Sequence, residues 1–366
     1  MPNHYHMIDY IHEGPQALQR TLDANEGPVK ELGQEVRRRD VERVVLTGIG
    51  SSYTALKMSE QLWLAHSPRS VHIVESADFD DLPPHVLNDG ALVVAVSRSG
   101  ERGYVVDALA HSHEVGALSV AITGTPDSLL TKHAQRTLIT GEGPEITFPK
   151  TKSVVAATGL LMRLALEFGA GEDSSRDQRL TELKASPAAM ARTIELTERP
   201  LQEMLGAISR HTHVAISGTG ANWGVALEAA MKVQEASYIP AYANSTDGLL
   251  NGPVGALNEN WLVISMVGPR DQRVTDQLLR AAHRFGAHSL VLVEPGIDLT
   301  EKATYSLDIA GGAHPSIAAL QYLPPLQLLA YYWTVSRGMN PDAPTSMTTI
   351  LEAILPPGRS EPELRA

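Results

Sequence analysis

Short, wholly apolar runs alternate with helix-length amphipathic stretches along this chain. In the first 170 residues the apolar runs fall at about 43–47, 71–75, 91–96, 117–122 and 136–140. Helical spacing of apolar positions covers about 51–65, 101–114 and 151–168. Strands without a polar face, bounded by turn residues and separated by helices, predict parallel pairing with both sheet faces covered. The pattern therefore predicts an α/β fold made of doubly wound, flavodoxin-like units, each a parallel sheet flanked by helices.

The pattern occurs twice. "VVLTGIGSSY" at 44–53 matches "VAISGTGANW" at 214–223, pairing Gly48 with Gly218, Gly50 with Gly220 and Tyr53 with Trp223. "LVVAVS" at 92–97 matches "LVISMV" at 262–267, and "GALSVAITGTPDS" at 116–128 matches "GAHSLVLVEPGID" at 286–298. All three share an offset of 170, from 218 − 48, so the chain is a tandem duplication. The expected organisation is a helical segment over 1–30, a first domain over 31–170, and a linker over 171–200 that is polar and then helical. A second domain over 201–340 and a Pro-rich tail over 341–366 complete it.

Composition narrows the function. At 366 residues the chain is long enough for two cores. A net charge of −12 argues against a nucleic-acid partner, which needs clustered Lys and Arg. No apolar run reaches membrane-span length, and the start, "MPNHYHMIDYIHEGP", lacks the basic and apolar segments of a signal peptide. A cytoplasmic protein without a membrane partner is expected. The absence of cysteine excludes disulfides, thiolate metal sites and Cys nucleophiles. "HYH" at 4–6 and "HTH" at 211–213 lack carboxylates at ligand spacing, so no metal is expected.

Candidate chemistry lies in two loops of the first copy, where strands give way to helices. One is "GIGSS", with Gly50, Ser51 and Ser52; the other is "SRSGER", with Ser97, Arg98, Ser99 and Arg102. Hydroxyls beside helix-start amides suit a phosphate without many lysines, and ligands of open α/β sheets bind beyond the strands' carboxyl ends. Serine is also a common helix cap. Two such loops on adjacent strands favour phosphate. Tyr53 occupies the third glycine position of a dinucleotide fingerprint, which argues against NAD. The second copy has lost this chemistry: Asn222 replaces Ser52, and Val267-Gly268-Pro269 replaces Ser97-Arg98-Ser99. It offers instead Glu228, Lys232 and Glu235, which share one helical face. These are either a solvated ion pair with a spare acid or a proton-transfer base beside a lysine.

These segments resemble the sugar isomerase (SIS) domain family, and most closely the isomerase half of glucosamine-6-phosphate synthase and the stand-alone ketosamine-6-phosphate deglycases and deaminases. The resemblance covers nearly the whole chain, through "IHEGPQALQRTL", "GPEITFPKTKSVVAA", "ALEAAMKVQEASYIPAYA", "PPLQLLAYYWTVSRG" and "NPDAP". It implies that Ser52, Ser97 and Ser99 hold phosphate, with Arg98 at a position usually held by Gln. It also implies that Glu235 moves a proton between C1 and C2 of a sugar, that no cofactor is needed, and that the chain forms a homodimer. Without cysteine or a preceding amidotransferase domain, it implies no glutamine hydrolysis.

The departures from that pattern carry information. Asn251 stands where the family places a ring-opening histidine, and Thr349 where it places a tail lysine. Arg102 and Lys150 replace a threonine and a serine. These two cations suit a second anionic group, phosphate or carboxylate, or else are surface charges. A mainly open-chain substrate would not need ring opening; otherwise Asp247, Tyr242 or His314 must supply the acid. The expected function is aldose–ketose isomerisation or ketosamine-6-phosphate deglycation of a sugar phosphate, with deglycation or deamination ahead of simple isomerisation. The alternative is a non-catalytic phosphosugar-binding regulator.

Overall fold

The computed structural model describes residues 4–101, 103–169 and 173–343. Two helices, α1 (His6–Ala24) and α2 (Glu26–Arg38), precede the first sheet unit. That unit comprises β1 (Arg43–Gly48), α3 (Ser51–His66), β2 (Ser70–Glu75), β3 (Ala91–Val96), α4 (Gly103–Glu114), β4 (Leu118–Thr123), α5 (Leu129–His133), β5 (Arg136–Ile139) and α6 (Lys152–Glu167). The 35-residue helix α7 (Ser174–Ile208) leads into the second unit. There the order is β6 (His213–Gly218), α8 (Ala221–Ser237), β7 (Ala241–Ser245), α9 (Thr246–Leu250), β8 (Trp261–Val267), α10 (Gln272–Arg284), β9 (His288–Val293), β10 (Tyr305–Asp308) and α11 (Pro315–Ser336).

Each unit is a five-stranded parallel sheet. The first runs β2-β1-β3-β4-β5 and the second, read from its other edge, β7-β6-β8-β9-β10. The order is the same, as the 170-residue repeat requires. β3 and β4 are buried at every position, because helices cover both faces of the sheet. The linker is helical, as expected, and its polar start is part of the helix: the described part is helical from Ser174, capped by the Asp173 carboxylate on the Ser175 amide (2.9 Å). It runs through Pro187 and Pro200 to Ile208, beyond the expected boundary at 200. Pro187 is buried, as are Leu183, Met190 and Ile194 near it, so packing offsets the missing amide donors.

The units meet through their first helices. α3 and α8 occupy equivalent places in the repeat and pack against each other. Gly50 faces Met231 Sδ at 4.0 Å, measured from an added Cβ, and its mate Gly220 faces Gln61 Cγ at 3.7 Å. Met231 and Gln61 are themselves 170 apart, so an approximate two-fold axis runs through the α3–α8 contact. No helix among the described residues is long and apolar enough to cross a membrane.

Candidate active site

The β1–α3 turn depends on two glycines. Gly50 has φ +58° and ψ −126°, a conformation that strains any side chain. A Cβ on Gly48 would lie 2.9 Å from Ser52 Cβ and 3.2 Å from the Val96 carbonyl, so the turn closes directly onto the end of β3. Ser51 Oγ donates to Glu228 Oε1 (3.1 Å), and Thr54 Oγ1 donates to Glu228 Oε2 (2.5 Å). Both oxygens of a second-unit carboxylate are therefore held by first-unit hydroxyls. The Ser51 hydroxyl serves this inter-unit contact, whereas Ser52 stands half-buried in the first turn of α3.

The β3–α4 turn sits beside it. Ser97 Oγ accepts the Gly100 amide (3.1 Å), and Ser99 Oγ accepts the Glu101 amide (3.3 Å). Both serines thus cap their own turn, Ser97 buried and Ser99 half-buried. A hydroxyl that accepts still keeps a proton to donate, so capping leaves each serine able to meet a ligand oxygen. The Arg98 carbonyl receives Gly124 N–H (3.1 Å), Thr123 Oγ1 (3.1 Å) and Thr125 Oγ1 (3.2 Å), which fixes the turn to the end of β4. Arg102 lies outside the described residues.

α8 brings its three charges together. Lys232 Nζ lies 2.5 Å from Glu235 Oε2 and 3.4 Å from Glu228 Oε1. Lys232 and Glu228 are 1% exposed and Glu235 is 23% exposed, so this is no solvated surface pair. Glu235 is its open end. Burial pushes the Glu228 carboxyl up, against the opposing pull of Lys232 and Thr54. Burial alone would lower Lys232, but the flanking carboxylates outweigh it and hold the ammonium well above the usual lysine range.

The loop from β5 to α6 adds Lys150. It is half-buried, not a surface cation. Its Nζ donates to the main-chain carbonyls of Glu145 (3.1 Å) and Thr147 (2.5 Å). The same loop holds a residue that sequence reasoning missed. The buried Glu145 carboxylate accepts the amides of Thr151 (2.7 Å), Lys152 (3.1 Å) and Ser153 (3.3 Å), and also the hydroxyls of Thr151 (2.8 Å) and Ser153 (2.5 Å). The start of α6 is thereby satisfied from within. Glu145→Ala leaves these donors unpaired, and urea denaturation is expected to show a loss of about 2–3 kcal/mol.

A second overlooked acid is Glu142, whose two carboxyl oxygens are buried and make no hydrogen bond of good geometry among the described residues, with only the Thr140 hydroxyl and the residue's own amide acting on them. Burial pushes its pKa up. A Cβ on Gly124 would lie 2.0 Å from Glu142 Oε1. In the second unit the arrangement is reversed. Glu294 occupies the place of Gly124, and Gly312 that of Glu142. There Tyr322 Oη donates to Glu294 Oε1 (3.2 Å), and the Gly268 amide donates to Asp271 Oδ2 (3.0 Å). Protein carboxylates thus surround the turn that corresponds to the first unit's serines. Their 170-residue pairing was the signal available in sequence.

The three candidate replacement acids all lie on the second unit. Tyr242 is near the amino end of β7, tilted against Trp261 (5.7 Å between ring centroids), away from the strands' carboxyl ends. His314 caps α11 by accepting the Ser316 amide, and burial followed by the charge of Arg179 pushes its pKa down. Asp247 is exposed in the first turn of α9, and Asn251 is exposed at its C-cap. Thr349 lies outside the described residues. Among the described residues no group of three or more His, Cys, Asp or Glu is placed to hold a metal ion.

Comparisons with known proteins agree with this architecture. The SIS domain family profile matches residues 39–167 and 207–337. Glutamine–fructose-6-phosphate aminotransferase [isomerizing] of Thermococcus kodakarensis is 26% identical over 352 residues, covering 93% of this chain and 57% of that protein. Its Pseudomonas aeruginosa counterpart is 28% identical over 358 residues, with the same shares. The chain therefore spans little more than half the length of these relatives. Among solved structures, the C-terminal domain of glucosamine-fructose-6-phosphate aminotransferase from Francisella tularensis superposes with a TM-score of 0.81 at 22% identity, covering 93% of this chain and 99% of that one. Glucosamine-6-phosphate deaminase from Thermotoga maritima gives 0.74 at 21% identity, covering 93% and 97%. With both units matched, the chain belongs to the SIS domain family.

Proposed function

We propose that the first unit grips the phosphate of a phosphorylated keto or amino sugar and that the second unit supplies the base. Ser52, Ser97, Ser99 and the adjoining amides take the phosphate, with Gly50 letting the backbone approach closely and Arg98 adding charge. Glu235 then moves a proton between neighbouring sugar carbons, through an enediol or enamine. The reaction class is aldose–ketose isomerisation or ketosamine-6-phosphate deglycation. One observation supports the reading: Glu228, tied to Ser51 and Thr54 of the first unit, fixes against that unit the helix that also carries Lys232 and the more exposed Glu235. A carboxylate on one face of a carbon next to a carbonyl suits this proton transfer.

The relatives' printed names concern fructose-6-phosphate and glucosamine-6-phosphate chemistry, which supports a sugar phosphate as the ligand class. Homodimerisation, which the resemblance to the family implies, belongs to the same proposal. A thermal-shift screen of sugar phosphates and phosphorylated Amadori compounds, followed by product analysis, tests the reading. Stabilisation with product formation is expected, and Ser97→Ala with Ser99→Ala should weaken it by about tenfold or more. Asn251, which cannot titrate near neutral pH, favours a second reading as a phosphosugar sensor. Stabilisation without any product supports that one instead.

A further inference from the structure

Both units bury a carboxyl behind the turn that ends their central strand, and they take it from different residues. In the second unit Glu294 supplies it: a Cβ on Gly268, the mate of Arg98, would lie 3.1 Å from Glu294 Oε1 and 3.3 Å from Asp271 Oδ2. In the first unit Glu142 supplies it from the β5–α6 loop. The path from there to the turn is short. The Gly124 amide donates to the Arg98 carbonyl (3.1 Å), and a Cβ on Gly124 would lie 2.0 Å from Glu142 Oε1. The turn that carries Ser97 and Ser99 therefore has a carboxyl one residue behind it.

A charged carboxyl there conflicts with an anion in front of the turn, because like charges repel strongly where water is excluded. In the second unit, where acids line the turn, the Gly268 amide is already taken by Asp271 Oδ2 (3.0 Å). In the first unit Glu142 is 1% exposed and forms no ion pair among the described residues. Only the Thr140 hydroxyl and its own amide act on its oxygens. A carboxylate so poorly satisfied is costly to bury, which favours the form that keeps its proton.

Building on the phosphosugar reading above, we propose that Glu142 decides whether the serine turn accepts a tetrahedral dianion: with its proton it admits the anion, and ionised it repels it. Anion and proton then raise each other's affinity, as linkage requires. The charges around the carboxyl act in both directions. Burial raises its pKa most, Arg98 on the β3–α4 turn lowers it, and Glu145 on its own loop raises it. From α1, Arg20 donates to the Glu142 main-chain carbonyl (3.4 Å). Anion affinity should be full below the Glu142 titration and fall as pH rises through it.

The experiment measures binding of inorganic sulfate by calorimetry from about pH 5 to 9, on the unmodified chain and on Glu142→Gln. Sulfate is a tetrahedral dianion over that range and adds no titration of its own. In the unmodified chain, affinity is expected to fall by about tenfold towards pH 9, with protons taken up on binding. Glu142→Gln keeps the shape and cannot ionise, so its affinity should change less and exceed that of the unmodified chain at pH 9. The same pH dependence in both chains overturns the proposal, while sulfate binding weakened by Ser97→Ala with Ser99→Ala keeps the phosphosugar reading intact. If Glu142→Gln does not fold, the unmodified chain decides alone: binding without proton uptake overturns the proposal. No binding of sulfate or of any sugar phosphate overturns both readings together.

Discussion

Glu235→Gln is expected to lower kcat by about 10²–10⁴-fold while leaving phosphosugar binding in place. Gln keeps the shape of the side chain and an oxygen for the Lys232 ammonium, now 2.5 Å away. It loses only the capacity to take a proton. Glu228 remains as the counter-charge of Lys232 at 3.4 Å, so the ion pair buried beneath the site is not left bare. Turnover and thermal shift measured on the same ligand separate the two effects. Unchanged turnover of every responsive substrate would place the base elsewhere.

Gly224→Ala should cost about 2–3 kcal/mol of stability and much of the activity. In an ordinary helix this change stabilises by about 1 kcal/mol, because glycine is the poorer helix former. Here the sign reverses. A Cβ at position 224 would lie 2.5 Å from the Met58 amide nitrogen and 2.8 Å from the Lys57 carbonyl carbon, both backbone atoms of α3. The two helices must separate, and the shift pulls Glu228 away from Ser51 and Thr54. Gly206→Ala in α7, where an added Cβ meets nothing within 4 Å, is the control and should be neutral or stabilising. A rise in melting temperature for Gly224→Ala would refute the argument.

The strands were legible because nothing competes with their signal. β3 carries six apolar residues and is buried at all six, at the bounds its sequence suggests. The 170-residue repeat then fixed the second unit from the first. The end of the linker was less legible, because the helix runs through Pro200 to Ile208, past the boundary expected at 200. At the site, Glu228, Lys232 and Glu235 share a face as their spacing requires, yet spacing does not reveal which acid is locked and which is open. That depends on Thr54, whose hydroxyl looks like an ordinary helix residue until α8 lies against it. Glu142 and Glu145 were also hidden, since the path of one irregular loop decides that Glu145 turns back onto five donors at the start of α6 while Glu142 is buried with little to satisfy it.

The α3–α8 contact also bears on how a one-sided catalyst arises. Thr54 and Gly224 are mates under the two-fold, as are Met58 and Glu228. One crossing therefore joins a hydroxyl to a carboxylate, and its image packs bare backbone against Met58. Two separate copies of one half-length chain must place any new residue at both crossings at once, buried acid included. Covalent fusion lifts that obligation. Each side of the seam then evolves alone, and a charge too costly to bury twice need be buried only once.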